Sequence, residues 1–444
     1  MESTAPAQYG RKVCCSRRKR GRALHGRRGE QREEIEMTNT EPIRVLHVLG
    51  KLNMGGAESR IMDLYRHIDR DKIQFDFLVH YGVSKAACGG DDSTENLLRL
   101  RPKEFFDDEI TALGGRIYVL PRFDGRNLLR YRKAAGAFFA GHHEFAAVEG
   151  HMTSMASVYL PLAKAAGVPL TIAHARSAGV DPGLRGLATR WLRRPLPKRC
   201  DCMLACSRPA GISVFGEKAC REGRVQFMPN AVDLSAFAFN TEAEQNRALL
   251  RKQFGFPDGA SVIGHVGRFD PVKNQAFLLP VLLKLREDYP ERDFRLLLIG
   301  GGVNMGDVEA KARERGLSDA VVFAGERTPA ETAKLYAAMD LFTLPSLYEG
   351  LPGTVIEAQA AGLPCVISDS ITDEVCITEE VLQSRITDAG TFAKDLAAMQ
   401  VMTAAPRQQR SLEAREKLSA AGYEVSAAAK RLQAWYLRGG RGTI

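Results

Sequence analysis

Glu349 and Glu357 stand eight residues apart in the segment PSLYEGLPGTVIEA, residues 345–358. A hydrophobic strand at 341–344 leads into a loop that holds Gly350, Pro352 and Gly353, and an Ala-rich helix follows from near Val355. Glycines let a backbone approach a ligand closely, and a helix N-terminus presents free N–H groups to an anion. Two carboxylates beside an anion would repel it. They suit neutral hydroxyls on either side of it, a sugar's at one end and a ribose's at the other, which is the pattern of a nucleotide-sugar site.

Upstream, Arg268 and Lys273 lie five apart, just after an apolar strand at 262–267. Breaking a bond to a diphosphate leaves negative charge there, and fixed cations stabilise it. Arginine offers a bidentate fork and lysine a point charge. Taken alone, the two could equally be solvated loop cations. Glu357 could likewise be an exposed helix residue. Its neighbours Val355, Ile356, Ala358 and Ala361 argue for a buried face, where an unpaired carboxylate is costly. His151 follows a strand at 146–149, at the C-terminal edge where parallel sheets collect ligands. A lone histidine is as readily structural. His174 also ends a strand, whereas His47 lies within one and reads as core. Gly55-Gly56 follows the strand at 43–49 without completing a Gly-x-Gly-x-x-Gly fingerprint, which argues against a dinucleotide cofactor. Asp91-Asp92 and Asp107-Asp108 sit in polar loop sequence, so no metal is expected, and cations with helix dipoles take its place.

These residues resemble the retaining glycosyltransferases of family 4, and bacterial exopolysaccharide enzymes in particular, from Ile43 to about Tyr436. The resemblance implies an α/β chain of GT-B fold, two Rossmann-like parallel-sheet domains facing a cleft. Arg268 and Lys273 match an Arg-x4-Lys pattern that grips the donor diphosphate. Glu349 and Glu357 match a Glu-x7-Glu motif. By resemblance, Glu349 holds the transferred sugar, with Gly350 and the backbone from Leu351 to Gly353 beside it, and Glu357 takes the ribose hydroxyls. The Gly55-Gly56 loop closes over the donor, and His151 contacts the sugar at its reacting face. His151, Arg268, Lys273 and Glu349 are thus the catalytic set, and His174 is a candidate on the acceptor side. The chain departs from the commoner Glu-Gly-Phe-Gly form at Leu351 and Pro352, and Pro352 removes one N–H. The implied reaction moves a sugar with retention from a nucleotide diphosphate sugar, a UDP-sugar before others, to a hydroxyl of a glycan or polyprenyl-linked glycan in cell-surface polysaccharide synthesis. No cofactor, nucleic acid or protein general base is implied. The rival readings are a GT-B-like sugar-nucleotide epimerase, a glycogen-type phosphorylase and an inactive nucleotide-sugar scaffold.

The surrounding elements must position these groups. Apolar runs at 43–49, 75–79, 116–120, 146–149, 170–174 and 201–206 alternate with helical spacing, and a second cycle follows the segment 225–230. The expected division is a tail at 1–40, an acceptor domain at 41–222, a nucleotide-sugar domain at 223–415 and a last helix at 416–444 crossing back. Residues 84–104 are polar and Gly-rich and read as an insertion. Of the net charge of +9, residues 1–36 supply +5, from ten Lys/Arg against five Asp/Glu, with no apolar pattern. Such a tail is expected to be disordered. It could be an arm for nucleic acid or membrane. The plainer expectation is that translation starts at Met37, just ahead of the first strand. Nine scattered cysteines read as reduced thiols, and no apolar run reaches the length of a membrane span, so a cytoplasmic location, with contact at the inner membrane face, is expected. That contact would come from 184–199. Its Leu184, Leu187, Trp191 and Leu192 have helical spacing among the cations Arg185, Arg190, Arg193, Arg194, Lys198 and Arg199. The same pattern fits a surface helix packed by its apolar stripe.

Overall fold

The computed structural model describes residues 41–179 and 183–444, the Arg185 side chain excepted; the expectations for the 1–40 tail lie outside the described residues. Two parallel sheets face each other across a cleft. The first has seven strands: β1 Ile43–Val48, β2 Ile73–Tyr81, β3 Ile117–Pro121, β4 Phe145–Gly150, β5 Leu170–Ala175, β6 Cys202–Ala205 and β7 Val225–Phe227, in the order β3-β2-β1-β4-β5-β6-β7. The second has six: β8 Ser261–Val266, β9 Phe294–Ile299, β10 Val321–Gly325, β11 Leu341–Leu344, β12 Cys365–Ser368 and β13 Val381–Ser384, in the order β10-β9-β8-β11-β12-β13. In each sheet the strand order reverses beside the first strand in sequence, and the cleft residues gather at that switch point.

The near-continuous apolar strands follow from burial on both faces by helices. β5 and β11 are buried at every position, and β4 at every position but Ala146. The short edge strands escape this rule. β7 pairs in parallel with β6, Met203 opposite Val225, so the first sheet extends past the boundary expected at 222. β13 pairs with β12 from Cys365 opposite Val381, although two of its four residues are exposed and carry little apolar signal. The insertion-like segment at 84–104 has secondary structure of its own. It contains the helix Thr94–Leu100, whose Ser93 cap accepts from the Asn96 N–H at 3.3 Å.

The last two helices are Ala404–Ala420 and Val425–Leu437, separated at Gly422, which has φ +89°. The final helix packs on the first sheet's layer. Val425, Leu432, Trp435 and Tyr436 join the core of Ile61, Tyr65, Phe75 and Ile172. A second apolar core runs without a break from Leu46 and Val148 through Phe215 and Val232 to Leu351 and Val355, and so ties the two sheets' layers together. Among the described residues, no helix is long and apolar enough to cross a membrane.

Candidate active site

The Arg268 loop is shaped by its neighbours. Gly300 and Gly302, after β9, adopt φ +136° and +147°, and a Cβ on either would strike the backbone of Gly267 or Phe269. Phe269 N–H donates to the Gly301 carbonyl at 2.8 Å. Asp270 Oδ1 then accepts the backbone N–H groups of Val272 and Lys273, each at 3.1 Å, which turns the chain and aims Lys273. Arg268 stays 74% exposed, with its Nε 3.2 Å from Asp270 Oδ2. Lys273 Nζ meets Glu349 Oε1 at 2.5 Å. The loop after β11 is held alongside, because Leu347 N–H donates to the Val272 carbonyl at 2.8 Å.

Gly350 and Leu351 face the first domain. A Cβ at Gly350 would lie 2.4 Å from the Arg176 carbonyl oxygen, so only glycine allows this approach. Ser207 Oγ donates to the Gly350 carbonyl at 2.6 Å, and Asn230 Nδ2 to the Leu351 carbonyl at 3.0 Å. The helix Gly353–Ala360 follows, with Pro352 at its N-cap and no side-chain cap. Val355 N–H donates to the Pro352 carbonyl at 3.2 Å, and among the described residues the first-turn N–H groups of Gly353 and Thr354 are left open to an anion. Thr354 Oγ1, in that turn, is buried without a hydrogen-bond partner among the described residues. Glu357 is 7% exposed. Its Oε2 accepts from Tyr336 hydroxyl at 2.8 Å, and its Oε1 lies 3.3 Å from Arg60 Nη2. Burial pushes the Glu357 carboxyl up and Arg60 opposes the shift.

Gly55 caps the helix Gly56–His67, and the two glycines differ. A Cβ at Gly55 would meet Glu58 Oε2 at 2.2 Å, whereas Gly56 faces open space. Burial pushes the Glu58 carboxyl up, against the pull of Arg268 and Arg176.

The histidines form a buried cluster. His151 follows β4, and its side chain is only 2% exposed. Its Nε2 lies 3.1 Å from His47 Nδ1 and 3.6 Å from Glu149 Oε1, and its Nδ1 is 3.4 Å from Arg176 Nε. Since Arg176 can only donate, His151 Nδ1 must accept and Nε2 must carry the proton. Both ring nitrogens are thus turned to protein partners. His174 is fully buried, with Nδ1 2.7 Å from Glu149 Oε1, and Tyr436 hydroxyl binds the other Glu149 oxygen. Burial lowers His47 and His174 to about 4 and His151 well below its ordinary range. Two expectations change here. His174 exposes no surface to an acceptor, since its ring is held by Glu149 and lies against His151. His47, although core as expected, is also a hydrogen-bonded member of the cluster. His47, Glu149 and His151 bring three potential metal ligands within 4.8 Å, though Glu149 already serves His174 and Tyr436.

Arg60, Arg176, Ser207 and Asn230 escape a reading of the sequence. Arg176 had a signal, since it follows β5 as Arg268 follows β8. The other three lie in ordinary helix or loop sequence and matter only through what they touch.

The helix Leu184–Arg193 lies apart from these residues. Leu184, Leu187 and Trp191 are 84%, 59% and 71% exposed, while Leu192 packs against the core, so most of the apolar stripe is left in the open. Arg193 turns inward, with Nε and Nη1 buried and without a hydrogen-bond partner among the described residues. Pro195 ends the helix ahead of a short turn at Leu196–Lys198. Beside it opens a groove of about 1100 Å³, floored by Val158, Pro161 and Leu162 and edged by Arg132, Arg194 and Lys198.

The family described as glycosyl transferases group 1 matches residues 260–399. "Putative glycosyltransferase EpsF" of Bacillus subtilis is 36% identical over 340 residues, 76% of this chain and 82% of that protein. The UDP-Gal:alpha-D-GlcNAc-diphosphoundecaprenol alpha-1,3-galactosyltransferase of Escherichia coli is 31% identical over 147 residues, 33% of this chain and 37% of that one. The structure of Anabaena HepE in complex with UDP and glucose superposes with a TM-score of 0.66 at 17% identity, covering 89% of this chain and 99% of HepE. With two parallel sheets about a cleft and a relative matched over most of its length, the chain belongs to the GT-B-fold glycosyltransferases, in the family that includes EpsF.

Proposed function

We propose that this glycosyltransferase moves a sugar, with retention and without a metal, from a nucleotide diphosphate sugar to a hydroxyl of a glycan or polyprenyl-linked glycan. The carrying observation is the contact of Lys273 with Glu349, between exposed Arg268 and the uncapped N-terminus of Gly353–Ala360. Arg268 and Lys273 neutralise the leaving diphosphate, assisted by the Gly353 and Thr354 N–H groups. Glu349, drawn close by Lys273, takes hydroxyls of the sugar, and Glu357 takes those of the ribose. The bond from the anomeric carbon to the diphosphate breaks as the bond to the acceptor oxygen forms on the same face. The acceptor proton passes to the departing diphosphate, so no protein base is assigned. His151 shapes the sugar pocket from below, through its bonds to His47 and Arg176.

UDP is favoured as the carrier because HepE is solved with UDP and glucose. A lipid-linked acceptor is favoured by the name of the E. coli relative and by the exposed apolar and basic helix Leu184–Arg193. That helix would rest on the anionic inner face of the membrane. The test is a panel of UDP-, GDP- and ADP-sugars, read as nucleotide release, with the product anomer assigned by NMR. Release from none of them would leave a binding scaffold, and an inverted product would overturn retention.

A further inference from the structure

Arg60 and Glu357 come from opposite domains. Arg60 lies on the helix Gly56–His67 against the first sheet, and Glu357 on Gly353–Ala360 against the second. Arg60 Nη2 is 3.3 Å from Glu357 Oε1 and 3.1 Å from Asp63 Oδ2, while its Nη1 is 3.5 Å from the Ala231 carbonyl between the domains. A Cβ at Gly353 would sit 3.9 Å from both Arg60 Nη1 and Glu357 Oε1, so the ion pair lies across the first turn of the Glu357 helix.

We infer that Arg60 is a positioning residue for the nucleotide: from the first domain, it holds the Glu357 carboxylate in the form and rotamer that grips the ribose. The inference rests on the reading of Glu357 as the ribose ligand. A carboxylate binds two hydroxyls well only when ionised, because protonation turns one acceptor into a donor. Glu357 is buried, and burial favours the neutral form. The groups that face it are Arg60, Asp63 and Tyr336. Tyr336 gives a hydrogen bond but no charge, and Asp63 repels. Asp63 is itself engaged by Arg60 and by Arg66 at 2.7 Å. Arg60 is therefore the cation that keeps Glu357 an anion. Among the described residues each Glu357 oxygen has one protein partner, which leaves a lone pair on each for a ribose hydroxyl. Because Arg60 is delivered by the other domain, ribose recognition is complete only while the two domains are apposed as they are here. Nucleotide affinity and cleft geometry are thereby linked.

The test uses the full chain and calorimetric titration with UDP, GDP or ADP, whichever the wild type binds most tightly, and with its 2′,3′-dideoxy analogue. Arg60→Ala should weaken the ribonucleotide about tenfold near pH 6, the order of one hydrogen bond to a charged group. The loss should shrink as the pH is raised, because removing the cation raises the Glu357 pKa further and alkali restores the carboxylate. Arg60→Lys should restore most of the affinity, and the dideoxy analogue should bind wild type and Arg60→Ala within about twofold, its hydroxyl contacts being absent. Equal losses for both nucleotides, or no loss for either, overturn the inference. Glu357→Gln separates the two levels. If it weakens ribonucleotide binding while Arg60→Ala does not, only the Arg60 role falls. If it changes nothing, the ribose reading falls and takes this one with it.

Discussion

Arg176 Nη1 donates to Asn230 Oδ1 at 2.7 Å, and Asn230 Nδ2 donates onward to the Leu351 carbonyl. Two bonds thus join the histidine cluster of the first domain to the glutamate loop of the second. Arg176 is buried enough for desolvation to lower its pKa, so its partners are not readily replaced by water. Asn230→Ala should leave a carbonyl and a guanidinium N–H unpaired, at about 1–3 kcal/mol. Turnover should fall about tenfold with the fold retained, measured as kcat and KM beside the thermal midpoint. Unchanged turnover would show that the two loops need no such bridge.

Arg268→Ala and Lys273→Ala should each lower turnover by about 10²–10³-fold, the ordinary effect of removing a charge-stabilising donor from a reacting centre. Lys273→Ala should also raise the donor KM, since Glu349 loses the group that orients it. Turnover within about twofold of wild type for both variants would remove the diphosphate assignment.

On the proposed reading, in which fixed cations and a helix N-terminus do the work of a metal, activity should survive excess EDTA. The trio His47, Glu149 and His151 is the place to look if it does not. Complete loss on chelation, restored by a divalent cation, would assign a metal to the reaction.

Stability should fall on mild acidification. Burial holds His47, His80, His174 and His265 at about 4 in the folded chain, against about 6.5 unfolded. The unfolded chain therefore takes up protons below about pH 6.5 that the folded chain refuses until about 4. The contribution of these groups is fully present above 6.5 and lost as the pH falls towards 4, with a slope of up to about 1.4 kcal/mol per pH unit for each histidine. Glu357 and Glu58, whose pKa values are raised, act in the opposite sense and soften the fall. The thermal midpoint should drop between pH 7 and 5, and a flat profile would mean that these histidines are solvated.

The full chain should sediment with anionic vesicles at low salt and be released at high salt. Each cation near such a surface is worth about 1 kcal/mol. Replacing Arg190, Arg194 and Lys198 by glutamate should abolish sedimentation and leave donor hydrolysis intact. Arg193 is left alone because it points inward. Wild type that never sediments would favour a soluble acceptor.

The sequence by itself determined the alternation of buried strands and helices and the local geometry of the donor loops. A strand period, a glycine loop and an Asp270 turn depend on residues within a few positions of one another, so they are legible along the chain. The pairing of Lys273 with Glu349 is only half local. Each residue has its own motif, but the 2.5 Å contact needs β8 and β11 side by side. Tertiary structure alone decided the rest. Arg60 meets Glu357, and Arg176 meets Asn230, across long stretches of chain, with no spacing rule to announce them. It also buried His174 against Glu149 and His151 while leaving Leu187 and Trp191 in the open, although the helical spacing of those two would fit a packed stripe. Apolar periodicity states which side chains favour burial; which of them are covered depends on the neighbours that the fold supplies.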